Sequence, residues 1–175
     1  MKLGVKFVLA IIVLSALALA WPFSNGPKDI RVTSVTDVDK DEPQFYLVSP
    51  DPRPSFIVSR IEFTTNTDLL VLAKKHEYNV SFAVGYCSMD GVKDNGMSLG
   101  SVYWGRLRIY FGTKDDAGYA AAVAKGPPFT YQAYMKKTLS NDAPVALCFT
   151  LAGGNMLGGK LRSNVATIPM STAGH

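Results

Sequence analysis

From Tyr78 to Cys87 large and small side chains alternate. Tyr78, Val80, Phe82, Val84 and Tyr86 stand against Asn79, Ser81, Ala83, Gly85 and Cys87. Successive side chains of a strand point to opposite faces, so this stretch predicts a strand with one bulky face. Val145, Leu147, Phe149 and Leu151 repeat the pattern. Shorter β-prone runs lie at 30–35, 44–48, 55–63 and 102–111, and 160–168 reads as a closing strand. Turn signals separate them: the charged run Asp37–Glu42, the prolines of 50–54, Asp90-Gly91, Asn95-Gly96 and Gly153-Gly154. Residues 67–77 suit helix or strand, and 129–139 stay open between the two.

One helix is expected, over 114–125. Thr113 and Asp116 form a capping box, and Ala117, Ala120, Ala121 and Ala124 recur at helical spacing. Gly126 suits a C-terminal cap, and Pro127-Pro128 forbids continuation. Cys87 and Cys148 each fall on the small-residue side of their strands. An alanine stripe needs a shallow surface, so the helix is expected to pack on that side and to cover a Cys87–Cys148 bridge. The fold class is therefore mainly β (α+β), an antiparallel sheet or sandwich with one Ala-rich helix and one disulfide.

The first twenty residues change the compartment. Lys2 and Lys6 precede an apolar run from Phe7, and Ala18-Leu19-Ala20 has the small-x-small pattern of a leader-peptidase site. Residues 1–20 read as a signal peptide, or as an uncleaved anchor, since Phe7 to Phe23 reaches the short limit for a membrane span. Residues 21–28 form a tether, 29–170 a single β-rich domain, and 171–175 a tail. Either reading of the leader exports the chain, to the periplasm or beyond the cell. Outside the reducing cytosol, Cys87 and Cys148 are expected to bond, closing a loop of about 60 residues worth roughly 4 kcal/mol.

Charge and composition then exclude classes. The net charge of +4 includes two leader lysines, so the remainder is nearly neutral and gives no case for nucleic acid. With two histidines and two cysteines, a multi-histidine metal centre and a multi-bridge scaffold are excluded. No cofactor is expected.

Four motifs resemble chemistry and lack its context. Gly96-Met97-Ser98-Leu99-Gly100 matches the nucleophile elbow of serine hydrolases, yet the one later histidine is His175, the last residue. Gly154 to Lys160 nearly matches a phosphate loop, with Leu161 where a hydroxyl must hold magnesium. Asp37, Asp39 and Asp41 space like a calcium loop, but Glu42 and Val48 replace its Gly and Glu. His76 has no second interior histidine with which to build a zinc site.

The remaining feature is the run Tyr103 to Phe111. Read as one strand, it places Tyr103, Leu107, Ile109 and Phe111 on a core face and Trp104, Arg106, Arg108 and Tyr110 on the other. Trp, Tyr and Arg are enriched at binding hot spots. The alternative is a self-satisfied surface with arginines stacked on the rings. The expectation is an exported, non-catalytic domain that binds a protein partner, inhibitor-, immunity- or adaptor-like, through Trp104, Arg106, Arg108 and Tyr110. The competing readings are a carbohydrate or small-ligand module with Trp104 and Tyr110 as stacking platforms, a small serine hydrolase using Ser98, and a structural envelope component. Membrane contact is expected only through an uncleaved leader.

Overall fold

A computed structural model describes residues 26–42, 45–50, 54–114, 117–137 and 146–169. The leader, most of the tether, Asp116, Val145, the C-terminal tail and His175 lie outside the described residues.

The chain forms two antiparallel sheets packed face to face. The first has the order β1 (Arg31–Asp37), β2 (Ile57–Thr65), β7 (Phe129–Lys137), β5 (Ser98–Trp104) and β6 (Leu107–Arg108). The second has the order β10 (Ala166–Ile168), β8 (Leu147–Gly154), β3 (Asn79–Ser88) and β4 (Gly91–Asp94), with β9 (Lys160–Arg162) also on β8. Among the described residues the helices are α1 (Phe45–Val48), α2 (Leu69–His76) and α3 (Ala117–Lys125).

Alternation builds the core. Ile61 and Phe63 of β2 and Tyr131 and Ala133 of β7 face Val80, Phe82, Val84, Phe149 and Leu151 of the opposite sheet, all buried. Phe149 stands at the centre, 4.8 Å from Phe63 and 5.7 Å from Phe82 between ring centroids. Each Val, Leu, Ile or Phe among them contributes about 1.5–3 kcal/mol by leaving water. A second cluster lies on the outer face of the first sheet, where Val58, Tyr103 and Tyr134 meet Val38 and Phe45. Phe45 belongs to α1, so the run at 44–48, expected as a strand, is helical where described.

The ambiguous stretch 67–77 is α2, and every first-turn N–H has an acceptor. Tyr131 Oη accepts from Leu69, Asp68 Oδ1 from Leu70 and Val71, and the Asp68 carbonyl from Leu72. Glu77 closes the helix in the left-handed region at φ 56°. Leu69, Leu70 and Ala73 plug one end of the sandwich. The open stretch 129–139 is β7 as far as Lys137.

Cys87 and Cys148 form the bridge, with 5.0 Å between Cα atoms. It links neighbouring strands of one sheet, because Cys148 pairs with Gly85 and the Cys87 N–H reaches the Ala146 carbonyl. Cys87 is exposed, and α3 is tied to Trp104 and Asp68 rather than to the bridge. On the outer face beside Cys148, Thr150 meets the Ser163 hydroxyl at 3.2 Å. Gly153 and Gly154 belong to β8, so the expected turn falls later, at 155–158. The expected closing strand 160–168 is two strands, β9 and β10.

Candidate functional site

The run 102–111 is a hairpin rather than one strand. Gly105 adopts φ 55°, where a side chain is strained, and the chain reverses at Gly105-Arg106. Trp104 then pairs with Leu107, and Tyr103 with Arg108. Directly paired residues share a face, so a two-residue turn breaks the odd–even rule that one strand would keep. Trp104 joins Val102, Leu107 and Ile109 on the inner side, and packs half-buried against the main core. Tyr103 points outward into the second cluster. Phe111, expected in the core, is 48% exposed.

The four candidate binding residues thus separate. Arg106 is exposed on the turn, Arg108 is exposed on β6, and Tyr110 is partly exposed where it pairs with Asn79 of the other sheet. The Arg108 guanidinium carbon lies 5.8 Å from the Tyr110 ring centroid, the self-stacking arrangement. Trp104 meets Tyr119 of α3 edge-on, 5.6 Å between centroids. Its ring is a support for that helix and not a free platform.

Tyr119 explains how α3 sits. It is the one fully buried residue of the helix, and its hydroxyl donates to Asp68 Oδ2, the carboxylate that caps α2. Ala117, Ala120, Ala121 and Ala124 are exposed. The alanine stripe therefore points to solvent, the reverse of the expectation. The Tyr119 side chain has specific partners inside, the Trp104 ring and the Asp68 carboxylate, which the alanine methyls lack, so Tyr119 sets which side faces inward. The Asp116 half of the expected capping box lies outside the described residues, and Thr113 is buried. Its hydroxyl lies 2.7 Å from the Arg108 carbonyl and accepts from the Tyr110 N–H at 2.8 Å, closing the loop after β6.

The other motifs resolve into structural ties. Ser98 opens β5, and its Oγ accepts from the Val84 N–H at 2.9 Å across the two sheets. In the loop resembling a phosphate cradle, the Gly159 and Leu157 N–H groups donate inward to Asn155 Oδ1, at 2.7 and 3.1 Å. Asp37 accepts from Ser59, and Asp39 from the Asp41 N–H. Among the described residues no three His, Cys, Asp or Glu side chains gather where they could hold a metal ion. No helix among them is long and apolar enough to cross a membrane.

Among the described residues three ionisable groups are shifted. Burial holds the Tyr131 hydroxyl far above its ordinary value, and burial raises Tyr134 as well. Burial alone would raise Asp29, but hydrogen bonds from Thr65 and the Asn66 N–H, with nearby Arg31, outweigh it and hold Asp29 below 3.8.

No family model, curated protein or solved structure matches this chain.

Proposed function

We propose that the chain is an exported, non-catalytic domain that binds a protein partner in the cell envelope or outside it, through the β5–β6 hairpin and the adjoining outer face of α3. The observation that carries this reading is the uncovered apolar helix. Ala117, Ala120, Ala121, Val123 and Ala124 face solvent on an element anchored by a single tyrosine. An apolar face left in water is costly unless another surface covers it. Small side chains let a second backbone approach closely, which suits a polypeptide better than a sugar. The Trp104–Tyr119 contact holds this helix to the hairpin, so Trp104 supports the surface and exposed Arg106, two residues on, supplies an exposed charge at its edge. The Cys87–Cys148 bridge supports an oxidising compartment.

The test is cross-linked capture from envelope and culture fractions, read by mass spectrometry. Ala121→Glu with Arg106→Glu should reduce recovery of the captured partner at least about tenfold, the effect of losing one hot spot. The control Tyr86→Ala, an exposed change on β3, should leave it intact. Equal capture by the double variant and the parent would remove this surface from consideration.

A further inference from the structure

The sandwich carries a second exposed apolar feature, at the end where β3 begins. Asn79 pairs with Gly154 on one edge and with Tyr110 on the other. The Phe111 N–H reaches the Tyr78 carbonyl, and Asn155 Nδ2 donates to the His76 carbonyl at 2.7 Å. The loops after Tyr110 and after Gly154 therefore leave the same end, about 10 Å apart, two strand spacings. Between them they present Phe111 at 48%, Met156 at 102% and Leu157 at 87% exposure. Met156 and Leu157 project from a turn held rigid by Asn155, so they form a convex apolar tip rather than a groove.

Cations surround this tip. Lys74 and Lys75 occupy the last turn of α2, whose C-terminus meets the loop through His76 and Asn155. Lys160 pairs with Gly154 at the base of the tip. Glu77 opposes these three lysines at the same end. Lys28 stands nearby too, its Nζ donating to the Arg162 carbonyl at 3.1 Å, two residues along β9 from Lys160.

We propose that this end docks on an anionic lipid bilayer, with Met156, Leu157 and Phe111 entering the headgroup–acyl boundary and Lys75 and Lys160 meeting the lipid phosphates. Convex apolar residues backed by lysines match the two attractions of interfacial binding, apolar burial and charge. Long lysine stems reach back toward the headgroups while the tip is immersed. This contact is additional to any made by the leader and does not depend on the partner surface above.

Methionine oxidation provides a local readout, because Met89 is 105% exposed at the far end of β3, about 30 Å away. The full chain is mixed with phosphatidylglycerol or with phosphatidylcholine vesicles and treated with dilute peroxide. Peptide mass spectrometry follows both residues. Any retained leader enters either vesicle, so it does not mimic the effect. Phosphatidylglycerol should slow Met156 oxidation at least about fivefold against Met89, and Lys75→Glu with Lys160→Glu should abolish that protection. Equal oxidation of Met156 and Met89 on anionic vesicles overturns the proposal. So does equal protection by both lipids, or protection that grows with protein concentration in the absence of vesicles, which would assign the tip to a second copy of the chain.

Discussion

At the scale of single residues, a few polar side chains decide where elements start and how they are held. Tyr131 is buried in the core, yet its hydroxyl serves the first N–H of α2 at 2.9 Å. Tyr131→Phe leaves that buried donor unpaired and should cost about 1–3 kcal/mol in denaturant unfolding, with the fold retained. Asp29 ties the start of the described chain to the end of β2, accepting from Thr65 Oγ1 and the Asn66 N–H, each at 2.7 Å. Its depressed pKa gives stability that is fully present above the ordinary value of 3.8 and is lost as pH falls through the lower folded-state value. Asp29→Asn should therefore flatten the decline in denaturation midpoint below about pH 4 while the parent keeps falling. An unchanged acid slope would show that other carboxylates govern that range.

At the scale of elements, α3 is held from one side. Tyr119 ties it to Trp104 and Asp68, while Ala117, Ala120, Ala121 and Ala124 are exposed. Tyr119→Ala should raise amide exchange across 117–125 by about tenfold or more, with β2, β7 and β8 unaffected. Spread of the change into those strands would mean that the helix is integral to the core. The elements also show how far the sequence could be read. The β3 and β8 alternations predicted two strands, each with one bulky face, and Val80, Phe82, Val84, Phe149 and Leu151 of those faces meet in the core. The paired cysteines predicted the bridge. The hairpin at Gly105 was hidden because Tyr103–Phe111 contains no polar turn pair, so only the glycine marked the reversal, and the single-strand reading put Trp104 on the surface when it lies on the core side. The direction of α3 was misread because alanine spacing marks a helical face without saying which face is buried. Asp68 before Leu69-Leu70 was a legible N-cap signal, whereas its contact with Tyr119, fifty-one positions away, lies in tertiary packing that no local pattern records.

At the scale of the whole molecule, two sheets share one core, and the surfaces proposed for function sit on what the core leaves outside. The Cys87–Cys148 bridge spans 61 positions inside a single sheet and fixes β3 to β8, the strands that carry Phe82 and Phe149. A link of that length constrains the unfolded chain most strongly, by roughly 4 kcal/mol. The proposed partner recognition is placed beyond the cytosol, the condition under which this bridge persists. The most direct test is the intact, non-reduced mass of the chain recovered from envelope and culture fractions of its native cell after alkylation of free thiols. The account predicts a chain lighter by two hydrogens than its reduced form, with neither cysteine alkylated. Recovery from the cytosol with Cys87 and Cys148 both alkylated would contradict it.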